Sequence, residues 1–308
     1  MAPIGYQRAR QRPHLRQKYR RRRLTRWALL SPAVALVSTF YLAPLVLLIV
    51  MSFFNWPLLG EIRPAGLDNY ARALQDEGLG DALRFTLGFT LALVPLSLLT
   101  SYGAALIVRR TAKGTGLFRT AYFLPVAIGF TAAAYMASVL LTPETGVVNQ
   151  ILRGLGITDG RTTWFSDTGT AFWAVVVITV WKNMGVAMIL LMAGMQAIEP
   201  DLIEAAKIDG AGWWRRERSI VLPLIRSSIV LCLVLTVSGT FLTFDQFYVL
   251  TKGGPAGSTI TAVMFTYSES FIRYRMGYGA AVSIVISLVI VAITVAQLAA
   301  VRSRRAAA

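Results

Sequence analysis

Residues 204–211 read EAAKIDGA and residues 220–223 read IVLP, inside a polar loop, residues 197–226, that separates two long apolar segments. Asp201 and Glu204 have the spacing of an N-terminal capping box, and a proline stands just before them, where helices often begin. A glycine follows within the same stretch and allows a tight turn. We therefore predict two small helices joined by a turn, a compact unit presented to a partner.

An amphipathic helix lying on the lipid surface is the alternative interpretation of this loop. Such a helix needs an apolar face and a polar face, but no fixed spacing of small residues. The loop has small residues at Ala205, Ala206, Gly210 and Ala211. This spacing favours the close approach of another protein backbone.

The segments on either side of the loop are long and apolar. The chain is 55% hydrophobic and its mean hydropathy is +0.57, values well above those of a soluble domain. Each apolar run has about twenty residues or more and can span a bilayer, where backbone groups must be hydrogen-bonded internally. We predict an all-α integral membrane fold of six transmembrane helices, at residues of about 27–54, 83–108, 121–141, 170–192, 224–247 and 277–301.

A strongly basic tail precedes the first apolar run. Residues 1–26 hold ten Lys and Arg and no acidic residue. We predict a disordered cytoplasmic tail held near anionic lipid headgroups. Nucleic-acid binding is the alternative, but no fold and no interleaved aromatic residues support it, so we expect no nucleic-acid partner. A cleaved signal peptide also begins with positive charge, but the run that follows is too long for one.

The distribution of positive charge predicts the orientation of the membrane domain, residues 27–308. If the N-terminus is inside, the inner segments hold 22 of the 31 Lys and Arg and the outer segments hold 8. Cytoplasmic segments carry such an excess. We therefore predict that both termini and the loop at residues 197–226 are cytoplasmic.

The residue composition argues against catalysis, metal binding and ATP binding by this chain. It has one Cys and one His, which excludes an internal disulfide and a metal site of the His/Cys kind. No G-x-x-x-x-G-K-[ST] sequence is present to hold the phosphates of ATP. Paired carboxylates within the apolar runs are also absent. We therefore predict no catalytic residues, no metal and no cofactor here, which disfavours an integral-membrane enzyme.

The loop pattern E-A-A, three residues, G, nine residues, I-x-L-P resembles the cytoplasmic loop of permease subunits of ATP-binding-cassette importers. Residues 66–70, 117–125 and 143–149 also resemble permeases of this kind. Residues 243–255 resemble one subgroup, the permeases that import oligosaccharides and glycerol 3-phosphate and are related to the maltose transporter. The resemblance implies a type I importer permease fold, in which the loop is a coupling helix. It assigns the contact with the ATPase to Glu204, Ala205, Ala206, Asp209, Gly210, Ala211, Ile220, Leu222 and Pro223.

The resemblance also implies a multi-subunit assembly. It consists of a second permease, expected to be a different chain, two ATPase subunits that hold ATP and Mg, and an extracytoplasmic substrate-binding protein, all in or at membrane lipid. Its function would be import of an oligosaccharide or polyol phosphate across the cytoplasmic membrane. The alternative is a stand-alone secondary sugar transporter, which predicts internal repeats and ion-coupling carboxylates in broken helices. The sequence shows neither feature.

Polar residues in the last helices are candidates for a substrate path. A charge at bilayer depth costs about 2.5–3.5 kcal/mol on insertion scales, so Lys182, midway along the fourth run, needs a partner, a cavity or water. It either lines the path or ties two helices through a backbone carbonyl or the partner subunit. Asp245, Gln246 and Tyr248 lie near the outer end of the fifth run. They either contact the substrate path or pack within the outer loop. The candidates are Trp181, Lys182, Asn183, Asp245, Gln246 and Tyr248.

Overall fold

The computed structural model describes residues 29–109 and 115–306. The predicted basic tail, residues 1–26, lies outside the described residues. The helices are α1 (Leu29–Ser52), α2 (Asp68–Gln75), α3 (Glu77–Val108), α4 (Thr115–Ala127), α5 (Phe130–Leu140), α6 (Val147–Gly154), α7 (Thr168–Gln196), α8 (Pro200–Ile208), α9 (Trp213–Leu224), α10 (Arg226–Phe241), α11 (Asp245–Leu250), α12 (Ala262–Tyr267, continued as a π-helix over Ser268–Ile272) and α13 (Met276–Ala306).

The all-α membrane fold predicted from the sequence is confirmed. Four helices, α1, α3, α7 and α13, are each long and apolar enough to cross a bilayer. Two further spans exist if each of two bent helix pairs counts as one, which brings the total to the predicted six. Besides the helices, the described residues contain two short strands, β1 (Phe54–Asn55) and β2 (Arg63–Pro64), which pair antiparallel directly after α1.

The predicted third span, residues 121–141, is not one straight helix. α4 and α5 meet at an angle of 101°. Pro125 inside α4 has no N–H to donate, and Gly129 takes an extended conformation as the N-cap of α5. The short connection between the two helices is as apolar as they are, so hydropathy alone does not reveal the bend.

The predicted fifth helix, residues 224–247, is also divided. Residues up to Leu224 belong to α9, which meets α10 at 68°. α10 ends at Phe241, where the N–H of Thr243 bonds to the carbonyl of Thr240 at 3.1 Å in a tighter turn. Phe244 then leaves helical geometry with φ −133° and ψ −60° before α11 begins.

The packed centre of the bundle is the contact between α3 and α7. Towards the loop end it contains Ala104, Ala105 and Met188, and the small alanines let the two helices approach closely. Towards the other end, Phe89 and Val175 are fully buried against Phe247 of α11. α1 contributes little to this core, because the most apolar stretch of the helix has no buried residue.

Candidate functional site

The exposed part of the loop is α8. Its N-cap is Glu199, whose side chain makes no capping bond, and a proline follows as the first helical residue. The predicted capping box of Asp201 and Glu204 is therefore wrong. Asp201 already stands inside the first turn, where its side chain is not placed to cap the helix. Both carboxylates are instead exposed at the surface.

A glycine turn closes α8 and fixes the direction of α9. Gly210 has φ +76°, a left-handed conformation that other L-residues adopt at a cost. Its N–H bonds to the carbonyl of Lys207 at 3.0 Å, and the N–H of Ala211 bonds to the carbonyl of Ala206 at 2.9 Å. This is the pair of hydrogen bonds of a Schellman motif. The guanidinium of Arg216 on α9 also donates to the carbonyl of Ala211. The turn is therefore hydrogen-bonded to both α8 and α9.

The surface of α8 carries an uncovered apolar side. Leu202, Ala205 and Ile208 follow one another at intervals of three residues, so they lie on the same side of the helix. All three are exposed, and Ile208 reaches 87%. Asp209 and Gly210 at the end of α8 are exposed as well, whereas Ala206 is buried and Ala211 is half-buried. α8 therefore presents an uncovered apolar side at the surface.

The second part of the loop is packed into the bundle. Ile220 and Leu222 are half-buried, and Pro223, beside the bend between α9 and α10, is exposed. Their neighbours Val221 and Ile225 are almost fully buried in the same cluster as the ends of α3 and α7. The two halves of the sequence pattern thus have different placements, one at the surface and one in the core.

A buried carboxylate joins α9 to α3. Glu217 is 3% exposed and accepts a hydrogen bond from the hydroxyl of Tyr102 at 2.6 Å. Arg109, directly after α3, places Nη2 3.3 Å from Oε2 of Glu217. A buried carboxylate needs partners of this kind, because its desolvation is costly. Sequence reasoning missed Glu217, although Tyr102 and Arg109 are seven residues apart and so share a face of the helix.

A cavity of about 180 Å³ lies between α7 and α10. Two of the predicted substrate-path residues, Asn183 and Gln246, line it. The cavity is also lined by the hydroxyl groups of Thr236, Thr240 and Thr243, which repeat at helical spacing along α10 and just after it. These threonines were not among the residues predicted from the sequence. The lining residues are Phe130, Thr179, Asn183, Val186, Ala187, Leu190, Cys232, Leu235, Thr236, Gly239, Thr240, Thr243 and Gln246.

The remaining predicted path residues lie beside this cavity. Lys182 is 6% exposed, and its Nζ donates to the carbonyl of Val126 at 3.3 Å and lies 4.7 Å from the ring centroid of Phe130. This is the geometry of a tether between α7 and the bend after α4. The neighbouring Trp181 is exposed on another side of α7.

Asp245 and Tyr248 lie at the start of α11. The carboxylate of Asp245 accepts a hydrogen bond from the hydroxyl of Thr131 at 3.3 Å, which joins α11 to α5. Tyr248 is exposed and stacks on Phe244, with ring centroids 4.9 Å apart and an interplanar angle of 18°. Neither side chain lines the cavity between α7 and α10.

The profile of a protein family described as binding-protein-dependent transport system inner membrane component matches residues 19–306. The chain belongs to this family. It is therefore the permease subunit of an ATP-binding-cassette importer, a transport subunit rather than an enzyme, and a multi-pass protein of the inner membrane. The resemblance stated from the loop pattern is confirmed.

Similar proteins support this assignment. The permease is 29% identical over 271 residues to the probable starch degradation products transport system permease protein AmyD of Thermoanaerobacterium thermosulfurigenes, covering 88% of the permease and 91% of that relative. It is 32% identical over 289 residues to the trehalose/maltose transport system permease protein MalF of Thermococcus litoralis, covering 94% and 97%.

A solved structure confirms the predicted type I importer permease fold. It is a crystal structure of a bacterial ABC transporter involved in the import of the acidic polysaccharide alginate. One of its chains aligns with the permease at a TM-score of 0.81 and 23% identity, over 94% of the permease and 99% of that chain.

Proposed function

We propose that the permease imports an oligosaccharide or a related polyol phosphate, driven by ATP that separate subunits hold together with Mg. Support comes from the two relatives named above, which are described as transporting starch degradation products and trehalose or maltose. The observation that carries the coupling part of the proposal is the division of the loop, with an exposed α8 and a second half anchored in the bundle through Glu217.

In this proposal, α8 receives the movement of an ATPase subunit. The Schellman turn at Gly210 and the bond from Arg216 keep α8 and α9 at a fixed angle, so a push on one displaces the other. Glu217 then transmits the displacement to Tyr102 and Arg109 on α3. At about 1.5 Å per residue, the 32 residues of α3 span about 48 Å, the full thickness of the membrane.

The size of the cavity supports a second permease subunit. The cavity has a volume of about 180 Å³. Ligand pockets usually measure about 300–1,000 Å³. A second permease, expected to be a different chain, would complete the site by facing this cavity. Two ATPase subunits would bind the two coupling loops, and an extracytoplasmic binding protein would deliver the sugar.

The proposed path within this chain runs along the cavity. Asn183 and Gln246 supply amide donors and acceptors, and the hydroxyls of Thr240 and Thr243 can accept further hydrogen bonds. Phe130 supplies an aromatic face. These groups match a sugar, which offers hydroxyls together with apolar ring faces.

Purification of the tagged permease from its native membrane in mild detergent tests the proposal. We expect an ATPase and a second permease to co-purify, and we expect Gly210→Asp to lose the ATPase while the chain stays inserted. Sugar uptake by the reconstituted complex should require ATP and the binding protein. A chain that purifies alone and moves sugar into liposomes without ATP would instead be a secondary transporter.

A further inference from the structure

Four aromatic rings form a connected group where α11 meets α12, defined here as the aromatic track. Phe244 stacks on Tyr248 at 4.9 Å and contacts Tyr267 at 5.2 Å between ring centroids. Tyr267 contacts Tyr248 at 5.6 Å and Phe271 at 5.5 Å. The rings are only partly covered, and Phe271 is 55% exposed. A run of aromatic faces this open is not an ordinary core cluster.

Two concave sites lie near the track. Tyr248 and Tyr267 line a cleft of about 740 Å³ near the N-terminus of α3, the end of that helix opposite to Arg109. Phe244 directly follows Thr243, which lines the cavity between α7 and α10. Two of the four rings therefore line the larger cleft, and a third stands next in sequence to the wall of the smaller cavity.

The cleft combines these rings with charged and hydroxyl groups. Its polar lining comes from Asp76, Asp81, Lys252, Ser258, Ser268, Glu269 and Arg273. A purely apolar occupant would desolvate these groups without replacing their hydrogen bonds, at a cost for each one. An occupant with apolar faces and many hydroxyls satisfies both the rings and the polar groups. Pyranose rings have this chemistry.

Glu269 holds two arginines at the cleft. It is fully buried, is paired with Arg273 and Arg275, and lines the cleft. Its Oε2 is inaccessible and accepts no hydrogen bond from any described residue, although Nη1 of Arg275 lies 3.5 Å away. The buried carboxylate fixes the guanidinium of Arg273, which is more than half exposed at the cleft, so its remaining N–H groups can donate to a sugar hydroxyl.

The loop on the opposite wall of the cleft is held in place. Thr259 bonds to the hydroxyl of Thr251 at 2.7 Å and to the carbonyl of Gly254 at 2.6 Å. Lys252, between these two anchor points, takes a positive φ of 52° and lines the cleft. The loop that carries Lys252 is thus held by its own hydrogen bonds.

We propose that Phe244, Tyr248, Tyr267 and Phe271 form an outer sugar-binding track that passes pyranose rings from the cleft to the cavity between α7 and α10. The inference rests on the proposed sugar import and specifies where the sugar binds after its release from the binding protein. The rings contact the apolar ring faces of the sugar, while Lys252 and Arg273 bond its hydroxyls.

The test uses the whole importer in proteoliposomes, with saturating binding protein and a panel of maltose, trehalose, lactose and maltotriose. Tyr267→Ala and Phe271→Ala each remove one ring. We expect uptake per ATP hydrolysed to fall about two- to tenfold, since one aromatic contact is worth about 0.5–1.5 kcal/mol. Tyr267→Phe keeps the ring and should behave as the wild type. Tyr135→Ala, at a residue of α5 that is 63% exposed, is the matched control.

Each alternative outcome is distinct. If the wild type imports one of the four sugars and both alanine variants take up that sugar equally well, the proposed track is wrong, while the proposal of sugar import stands. If the variants lose the second permease or the binding protein during purification, the rings are a protein interface, and the track is again wrong. If the wild type imports none of the four sugars with ATP present, the sugar track is wrong, and uptake of a polyol phosphate then decides whether the proposed function stands. Phe271→Ser changes the most exposed of the four rings, so it should not unfold the permease. A fall in uptake by this variant therefore reflects lost binding and not lost folding.

Discussion

The hydroxyl of Tyr102 donates to the carboxylate of Glu217 at 2.6 Å, across 115 residues of chain. One residue lies on α3, which crosses the membrane, and the other lies on α9, which follows the exposed α8. Arg109 completes the contact from the end of α3. Because the charge of Glu217 is buried, breaking its contact with Tyr102 and Arg109 would leave that charge without a partner, at a high cost in free energy. It connects α9 to α3 through buried polar groups.

We expect Glu217→Gln to lower both stability and coupled uptake. The substitution leaves the hydrogen bond to Tyr102 possible but removes the charge that faces Arg109. Removing one partner of a buried pair costs roughly 3–5 kcal/mol, and the retained hydrogen bond should reduce that cost. The melting temperature of the purified permease and the uptake per ATP hydrolysed in proteoliposomes are the two measurements.

Glu61→Gln is the matched control for this substitution. Glu61 pairs with Arg63 at 2.9 Å, but both side chains are largely exposed. Exposed pairs contribute about 0–1 kcal/mol. The control should therefore melt and transport like the wild type. Equal melting temperatures and equal uptake in Glu217→Gln and Glu61→Gln would refute the role given to the buried pair.

We expect Gly210→Ala to weaken the attachment of the ATPase. A Cβ at this position would have no heavy atom within 4 Å, so steric crowding is not the issue. The cost comes from φ +76° and amounts to about 1–2 kcal/mol. Gly210→Asn should be milder, because asparagine tolerates the left-handed region. The amount of ATPase that co-purifies with each variant is the measurement.

Gly212→Ala provides a close comparison in the same turn. Gly212 also has open space at its Cβ position, but its φ is −60°. Alanine adopts this conformation freely, so ATPase binding should stay at the level of the wild type. A loss of ATPase as large as that in Gly210→Ala would show that the turn tolerates no side chain at all, and the argument from φ would fail.

We expect Ile208→Asp to abolish ATPase binding without destabilising the permease. Ile208 is 87% exposed on α8, so its side chain contributes little to the fold. A carboxylate there would be buried without a partner if the ATPase covers this side of α8. Co-purification of the ATPase and the melting temperature of the permease are measured together. Leu59→Asp, at a residue that is 90% exposed between the two strands, is the control.

Much of the fold could be predicted because apolar runs of spanning length are a strong local signal. The helix breaks could not be predicted from hydropathy, since distant partners as well as local residues hold them. The carbonyl of Thr243, in the break after α10, accepts from the hydroxyl of Thr261 at 2.8 Å. The carbonyl of Val126, near the break after α4, accepts from Lys182. Hydropathy carries no information about these hydrogen bonds. The sequence therefore predicts continuous helices over residues 121–141 and 224–247.

The candidate site was predictable to a similar extent. Glu204 to Gly210 carry a fixed pattern within a few residues, which a sequence can reveal. Glu217 has partners 108 and 115 residues away, so only the folded chain shows its importance. Asn183 and Gln246 lie in the cavity, but the neighbouring Lys182 does not, because adjacent residues on a helix point in different directions.

We expect Lys182→Met to lower the stability of the permease while leaving its sugar preference unchanged. Methionine keeps a long apolar side chain but loses the bond to the carbonyl of Val126 and the contact of the ammonium with the ring of Phe130. A buried backbone acceptor without its donor costs about 1–3 kcal/mol, so the melting temperature should fall. Asn183→Ala, one residue along α7 and lining the cavity, should do the opposite, changing the relative uptake of competing sugars with little change in melting temperature. Uptake competition assays in proteoliposomes separate the two variants. If Lys182→Met alters the ranking of sugars and Asn183→Ala does not, the lysine belongs to the substrate path, and the tether is not its main role.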